Sequence, residues 1–206
     1  MKNRIFIILC LLFVIAIFNG CKKEDEKETF NSDYSYYSNE ELIPSDWDWL
    51  DINEYKKMLE KNVFVKKDFD TIKKALTSDK RVYIYFGYNP YKYQCPFCAA
   101  ALPTANEAAQ SNKVEEILYL DIFDMRKNNT DEYLWLLDFI QKQVSDFGEK
   151  LLVPDIFVVE NGKILGHHRA TIEITKEDGQ TEYLKGMTIE QKEQLKKIYI
   201  DLFKKE

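Results

Sequence analysis

The chain has 206 residues, 45% of them hydrophobic, which suits one packed domain of ordinary size with an additional segment at one end. Its formal net charge is -6. Without residues 1–20, which contain Lys2 and Arg4 and no acidic residue, the charge becomes -8. An acidic chain with no basic patch lacks the electrostatic footprint of a nucleic-acid-binding protein, so we exclude nucleic acid as a partner.

The first 20 residues have the layout of a secretory signal peptide. Lys2 and Arg4 precede an uncharged apolar stretch over residues 5–18, and small and polar residues follow it. This stretch is shorter than the about 20 apolar residues that a membrane-spanning helix needs. We therefore predict that residues 1–20 are a signal peptide and not a permanent transmembrane helix.

The predicted signal ends in the sequence IFNGC, residues 17–21, which resembles the lipobox of bacterial lipoproteins. The resemblance implies that Cys21 is lipidated and anchors the protein to a bacterial membrane on its extracytoplasmic side. Phe18 and Asn19 differ from the residues that this family prefers, so the alternative is an ordinary secreted protein. After Cys21 the segment to residue 40 is charged and polar and has no aliphatic side chain. We expect residues 21–40 to form a flexible tether.

Of the four cysteines in the sequence, two remain in the predicted mature domain. Cys10 lies in the predicted signal and Cys21 is the predicted lipidation site, so the mature domain keeps Cys95 and Cys98. A domain of this size builds its own core without a disulfide. A bridge across so short a loop also removes little conformational entropy from the unfolded chain, so it would stabilise poorly. A functional role for the pair is therefore favoured over a structural disulfide.

Residues 41–61 are predicted to form an N-terminal helical extension. A helix is expected over residues 53–61. Trp47, Trp49 and Leu50 provide the apolar side chains through which we expect this extension to pack on the domain that follows.

Residues 62–206 alternate between strand and helix patterns in the order β-α-β-α-β-α-β-β-α. The run RVYIYFGY, residues 81–88, is rich in β-branched and aromatic residues and is long enough for a buried central strand. A later helix that ends at Gly148 is predicted to bury one face, formed by Leu134, Leu137 and Ile140. This order predicts an α/β fold with one mixed sheet and helices on both faces.

The last part of the domain carries two hairpin patterns and a closing helix. Asn161-Gly162 lies between two β-rich runs and suits a type I′ turn. A second, polar hairpin is expected around Asp178-Gly179. Thr188 and Gln191 have the spacing of a capping box and begin the final helix.

The sequence CPFC, residues 95–98, lies at the start of a predicted helix. Free N–H groups and the helix dipole favour a thiolate there and lower the pKa of Cys95. Pro96 suits the first helical position, where no N–H partner is needed. Cys98, one turn along, is close enough to attack a mixed disulfide on Cys95. We therefore expect an exposed nucleophile, Cys95, and a buried resolving cysteine, Cys98.

The sequence around this motif resembles the thioredoxin-like superfamily. A strand enters the motif, Pro103 lies eight residues after Cys95, and LLVPDIFVVENG, residues 151–162, is similar to the cis-proline strand of the family. The resemblance covers residues 62–206 and implies a thioredoxin-like mixed sheet flanked by helices. The Pro-Phe pair between the cysteines is similar to the Pro-Tyr pair of glutaredoxins and of bacteriocin-transport accessory proteins, which are small thioredoxin-like proteins of Gram-positive bacteria.

The resemblance implies a mechanism as well as a fold. Cys95 would attack a substrate disulfide or be attacked by a substrate thiol, and Cys98 would resolve the mixed disulfide. Pro154, in a cis peptide bond, would present backbone groups to the bound chain together with Val153. The further residues placed in the active site are Pro96, Phe97 and Asp155. No cofactor is implied besides the redox-active disulfide of the two cysteines.

Two features depart from the thioredoxin pattern. Thioredoxins keep a buried carboxylate on the strand before the motif, and residues 81–88 contain none. Asp155 follows Pro154 directly, and a negative charge near the sulfurs disfavours the thiolate. We therefore expect Asp155 to raise the pKa of Cys95 and to make the couple more reducing.

Metal binding is the alternative chemistry for the pair. A structural zinc site needs two further ligands, and no second cysteine pair remains in the mature sequence. Two thiolates do suit Cu(I). His167 and His168 point to opposite faces of a predicted strand, which argues against a shared ion, and we place both on the hairpin surface. No metal site is therefore predicted.

Two function classes follow from these observations. The first is a membrane-tethered, extracytoplasmic thiol-disulfide oxidoreductase that acts on exported proteins and exchanges electrons with a membrane or extracellular redox partner. The second is a non-catalytic thioredoxin-like module that binds a partner protein or Cu(I).

Overall fold

A computed structural model of the protein describes residues 28–206. The predicted signal peptide, residues 1–20, and Cys21 lie outside the described residues. The helices are α1 (Phe30–Tyr34), α2 (Ile52–Glu60), α3 (Phe69–Leu76), α4 (Pro96–Ser111), α5 (Phe123–Asn128), α6 (Asp131–Gln141) and α7 (Ile189–Phe203), and a 3-10 helix, Ser35–Ser38, follows α1. The strands are β1 (Phe64–Lys66), β2 (Val82–Gly87), β3 (Ile117–Asp121), β4 (Asp155–Glu160), β5 (Lys163–Arg169), β6 (Glu173–Thr175) and β7 (Thr181–Tyr183).

Five of the strands form one mixed sheet in the order β1-β3-β2-β4-β5. β1, β3 and β2 are parallel, whereas β4 is antiparallel to both of its neighbours, β2 and β5. α1, α2, α4 and α7 contribute to the core on one face of the sheet, and α3 and α6 contribute to the core on the other. This arrangement confirms the predicted α/β fold of the thioredoxin-like type.

The central strand β2 explains where the cysteine motif lies. Its side chains alternate between the two cores, with Tyr85 on one side and Ile84 and Phe86 on the other. The chain leaves β2 through a loop and enters α4, so the motif lies at the carboxyl end of this buried strand. Phe86 pairs with Asp155 at the start of the antiparallel β4. The same register therefore brings the segment that precedes β4 to the motif.

The predicted turns of the last part are confirmed. Asn161 and Gly162 have φ values of 52° and 72°, which is the positive pair that a type I′ turn requires. Gly179 has a φ of 81° in the turn between β6 and β7. Thr188 and Gln191 form the expected capping box at the start of α7.

The buried face of helix α6 is rotated from the predicted face by about one residue. Its buried side chains are Tyr133, Leu136 and Ile140, whereas Leu134 is 43% exposed. Two sets of apolar residues share helical spacing here, and the tertiary structure buries the set with the tyrosine, whose hydroxyl accepts a hydrogen bond from the Leu151 N–H at 3.1 Å. The helix ends at Gln141, before the predicted stop at Gly148.

The segment predicted to be a flexible tether is partly folded, and this is a correction. Phe30 is 2% exposed and stacks on Phe64 with 4.6 Å between ring centroids. Tyr34 is fully buried, and its hydroxyl lies 2.6 Å from that of Tyr85 in the central strand. The prediction was wrong because it counted aliphatic side chains, whereas aromatic rings provide the buried area here. The segment 30–38 thus packs on the domain through its aromatic side chains, which are buried.

A buried ion pair holds the same segment to the domain. Asp33 is 2% exposed, and its carboxylate lies 2.7 Å from the Lys66 ammonium. It also accepts a hydrogen bond at 2.9 Å from the side-chain amide of Asn89, in the loop that leads to the cysteine motif. Because a buried carboxylate must be paired, these contacts fix the position of α1.

The extension packs as predicted through its tryptophans and leucine. Trp47, Trp49 and Leu50 are partly buried against the core that contains α1 and α4. Trp47 stacks on Trp49 at 5.2 Å and on Tyr37 at 5.8 Å.

The two adjacent histidines lie on opposite faces of β5, but neither is a simple surface residue, which corrects the prediction. His167 lies 2.9 Å from the Asp155 carboxylate and stacks on Phe157. His168 packs edge-on against Tyr199 of α7 at 5.2 Å. Its Nε2 atom is buried and has no hydrogen-bond partner within residues 28–206. Burial lowers the pKa of His168 to about 4.

Replacement of Phe30 by alanine tests whether the first helix belongs to the folded core. We expect Phe30→Ala to lower the free energy of unfolding by about 3–5 kcal/mol, the range for a buried phenylalanine. Urea denaturation of the oxidised protein measures the change. Ile189→Ala, at a position that is 83% exposed, is the control. Equal stability of the two variants would show that α1 contributes nothing to the core.

Acid titration tests the environment of His168. Its pKa is lower in the folded chain than in the unfolded chain, so stability is complete above about pH 6.5 and falls as the pH decreases towards about 4. The expected loss is on the order of 2–3 kcal/mol over this window. Urea denaturation at several pH values measures it. The loss should be smaller in His168→Phe, and identical pH slopes in the two proteins would contradict the assignment.

Candidate active site

Cys95 and Cys98 form a disulfide at the start of α4, with their Cα atoms 5.3 Å apart. Cys95 is the N-cap residue of the helix, and Pro96 occupies the first turn as predicted. The Cys98 N–H donates to the Sγ atom of Cys95 at 3.2 Å. A free N–H at a helix start therefore points at this sulfur, which stabilises a thiolate once the disulfide is reduced.

The exposure of the two sulfurs differs from the prediction in one respect. Cys98 is fully buried, as expected for a resolving cysteine, but Cys95 is only 4% exposed. The expectation of an openly exposed Cys95 was wrong, because the segment before β4 lies beside it. The carbonyl oxygen of Val153 is 4.0 Å from the Cys95 Sγ atom. In the disulfide state little of Cys95 is therefore accessible to another molecule.

The peptide bond between Val153 and Pro154 is cis, which confirms the prediction for this proline. The Pro154 carbonyl accepts a hydrogen bond from the Ala170 N–H at 2.7 Å, so the segment is tied to the end of β5. Because β4 pairs with the strand that precedes the cysteine motif, the cis-proline segment and the disulfide lie next to each other.

Asp155 has two partners that sequence reasoning did not identify. The carboxylate is fully buried and lies 2.9 Å from His167 Nδ1 and 3.4 Å from Arg169 Nε. Burial raises the pKa of Asp155, and the contacts with His167 and Arg169 act in the opposite direction. The Arg169 cation compensates the negative charge, which opposes the effect on Cys95 that we expected. Both partners lie on β5, so strand pairing brings them to Asp155.

Phe97, inside the cysteine motif, contacts the second hairpin. Its ring centroid lies 6.4 Å from that of Tyr183 in β7 and 6.0 Å from the ammonium of Lys185. The hairpin of β6 and β7 therefore borders the motif. Nothing in the linear sequence indicated this proximity, because the hairpin lies more than 70 residues further along the chain.

A tyrosine from the N-terminal segment contacts the backbone of Cys95 directly. The Tyr37 hydroxyl accepts a hydrogen bond from the Cys95 N–H at 3.1 Å and donates one to the Cys95 carbonyl, also at 3.1 Å. Tyr37 is fully buried. Sequence reasoning missed this residue because it assigned the surrounding tyrosines to the flexible tether.

A second tyrosine satisfies the backbone of the same helix. Pro103 lies inside α4 and has no N–H, so the Ala99 carbonyl one turn earlier lacks its usual helical partner. The Tyr55 hydroxyl donates to this carbonyl at 2.9 Å and lies 3.4 Å from the Cys98 carbonyl. Tyr55 thus replaces the hydrogen bond that the proline removes, and α4 continues through Pro103 to Ser111.

The rim of the site carries exposed apolar side chains. Tyr91 and Tyr93, in the loop before the motif, are 56% and 52% exposed, and Leu152, before the cis-proline, is 40% exposed. Tyr91 and Tyr93 come just before Cys95 in the sequence, and Leu152 adjoins Val153, whose carbonyl oxygen is close to the Cys95 sulfur. Exposed apolar groups beside a reactive centre are typical of a surface that contacts another molecule.

Comparison with known proteins finds weak similarity to solved structures. No family model matches the sequence, and no curated protein matches it. A solved structure described provisionally as an oxidoreductase with a thioredoxin fold has a TM-score of 0.37 and 20% identity, over 52% of this chain and 83% of that chain. A structure from work on thiol resolution in yeast mitochondrial 1-Cys peroxiredoxin via glutathione/thioredoxin systems has a TM-score of 0.35 and 11% identity, over 53% and 88%.

A disulphide isomerase from Xylella fastidiosa Temecula1 has a TM-score of 0.30 and 15% identity, over 66% of this chain and 91% of that chain. The assignment of this chain to the thioredoxin-like fold depends on its own strand order and on the position of the motif between β2 and α4.

Within residues 28–206, no group of three or more histidine, cysteine, aspartate or glutamate side chains is arranged to hold a metal ion. None of the helices described over the same range has the length and apolar character needed to cross a membrane.

Replacement of Tyr55 by phenylalanine tests its role beside Pro103. Tyr55→Phe leaves the Ala99 carbonyl buried without a donor, so we expect the free energy of unfolding to fall by about 1–3 kcal/mol. Tyr119→Phe is the matched control, since the buried Tyr119 hydroxyl has no hydrogen-bond partner among the described residues. Denaturant unfolding of both oxidised variants provides the comparison. A loss in Tyr55→Phe no larger than in the control would show that this hydrogen bond is dispensable.

Proposed function

We propose that the protein is a thiol-disulfide oxidoreductase in which Cys95 is the nucleophile and Cys98 the resolving cysteine. The observation that carries this proposal is the disulfide at the N-terminus of α4, whose Cys95 sulfur faces both a helix N–H and the cis-proline segment. Such a site favours the thiolate, which is the reactive form in disulfide exchange.

The proposed reaction consists of two exchange steps. In the reducing direction the Cys95 thiolate attacks a substrate disulfide, a sulfur-sulfur bond forms between Cys95 and the substrate, and one substrate sulfur leaves as a thiolate that takes up a proton. The Cys98 thiol loses its proton and attacks Cys95, which releases the second substrate sulfur. The substrate gains two electrons, and the protein loses them as its own disulfide forms. The oxidising direction is the reverse.

The substrate that we propose is a polypeptide, an exported protein with a disulfide or a thiol pair. The exposed rings of Tyr91 and Tyr93 and the side chain of Leu152, in the segments that lead to Cys95 and to Pro154, offer apolar contacts to a bound chain. The cis-proline segment offers the backbone of Val153 beside the sulfur of Cys95. Because Cys95 is only 4% exposed, an extended chain reaches its sulfur more easily than a bulky rigid ligand does.

Location and partners are proposed from the sequence. We place the domain on the extracytoplasmic side of a bacterial membrane, attached through a lipid on Cys21, or secreted if that cysteine is not lipidated. A membrane or extracellular redox partner then restores the starting state of the cysteine pair. The Pro-Phe pair of the motif supports a relationship to bacteriocin-transport accessory proteins within this proposal.

Exchange assays with cysteine variants test the proposed function. The wild type should accelerate insulin reduction by dithiothreitol or oxidation of a reduced peptide, and Cys95→Ser should reduce the rate to that of the uncatalysed reaction, because no nucleophile remains. Cys98→Ser should accumulate a mixed disulfide with the peptide, visible by mass spectrometry, because the resolving step is lost. Absence of wild-type turnover in both directions would favour a non-catalytic binding module instead.

A further inference from the structure

Tyr37 forms two hydrogen bonds with the backbone of Cys95. One hydroxyl acts as acceptor for the Cys95 N–H and as donor to the Cys95 carbonyl, each at 3.1 Å. The carbonyl also accepts the first hydrogen bond of α4, from the Ala99 N–H at 3.0 Å. Tyr37 therefore holds both polar backbone groups of the residue from which the helix begins.

Tyr37 itself is held rigidly. Its ring packs against Tyr55 at 5.2 Å, Trp47 at 5.8 Å and Tyr34 at 6.0 Å between centroids, and the side chain is fully buried. Burial raises the pKa of Tyr37, so the hydroxyl stays protonated and remains able to donate. Packing on three sides means that the oxygen has one position relative to Cys95, as an effective orienting group requires.

The two redox states depend on these hydrogen bonds to different extents. In the disulfide state a covalent bond to Cys98 already fixes Cys95 at the helix start. In the dithiol state that bond is absent, and the backbone conformation of Cys95 depends on noncovalent contacts alone. The sulfur accepts the Cys98 N–H only while Cys95 keeps its N-cap conformation, with φ -95° and ψ 104°.

We propose that Tyr37 is a positioning residue for the nucleophile: its hydroxyl holds the Cys95 backbone in the N-cap conformation after reduction, so that the thiolate keeps its hydrogen bond from the helix start. This inference deepens the proposed function, since it takes Cys95 as the reactive thiol. It also assigns a role in the chemistry to the N-terminal segment, which lies 58 residues before the motif.

The test is the pH dependence of Cys95 alkylation in the reduced mature protein, measured by iodoacetamide labelling and peptide mass spectrometry. Tyr37→Phe keeps the ring and removes the two hydrogen bonds. We expect the pKa of Cys95 to rise and its alkylation rate below that pKa to fall on the order of fivefold. The equilibrium with glutathione should shift towards the disulfide by a similar factor, because the dithiol state loses the stabilised thiolate.

Tyr119→Phe is the matched control, because it removes a buried hydroxyl from the same aromatic cluster without touching the motif, and it should leave both readouts unchanged. A Tyr37→Phe variant that loses thermal stability but keeps the wild-type alkylation profile and glutathione equilibrium would overturn the proposal, since Tyr37 would then be only a packing residue.

Hydrogen exchange provides a measurement that does not depend on folding of the variant. The Cys95 amide of the reduced wild type should be protected, and an unprotected amide would overturn the proposal. Failure of the proposed function has a different signature. If the wild type catalyses no exchange while Tyr37→Phe still shifts the alkylation profile, the oxidoreductase assignment fails and the positioning role remains.

Discussion

Buried backbone groups of the cysteine motif and its helix need hydrogen-bond partners that the helix itself does not provide. The first N–H groups of a helix have no partners within it, and a proline inside it removes one more donor. In this protein both situations occur in α4, at Cys95 and at Pro103, where water has little access. The hydroxyls of Tyr37 and Tyr55, which lie outside the helix, form hydrogen bonds with these backbone groups. The N-terminal segment is thus part of the site.

The polar N-terminal segment packs into the core through its aromatic side chains. Tyrosine combines a large apolar surface with one hydroxyl, so it adds buried area and also satisfies buried backbone groups. The contacts of Tyr34 with Tyr85, and of Tyr37 with Cys95, use both properties at once. This combination explains why a segment without aliphatic residues packs against the central strand and the motif.

The charge near the site is balanced within β4 and β5. Asp155 is buried directly after the cis-proline, and His167 and Arg169 lie against its carboxylate. The central strand β2, Val82–Gly87, contains no carboxylate. In the exchange reaction that we propose, the reduction potential of the cysteine pair depends on the stability of the thiolate at the start of α4.

The sequence by itself determined the fold class, the cysteine pair and the turns, because each depends on local pattern or on the restricted geometry of proline and glycine. The cis-proline followed from the resemblance to the thioredoxin-like superfamily. Only the tertiary structure decided which apolar face of α6 is buried, that residues 30–38 are folded, and that Asp155 is paired with Arg169. It also brought Tyr37 to Cys95. These outcomes depend on strand pairing and packing between residues far apart in the chain, which no local spacing encodes.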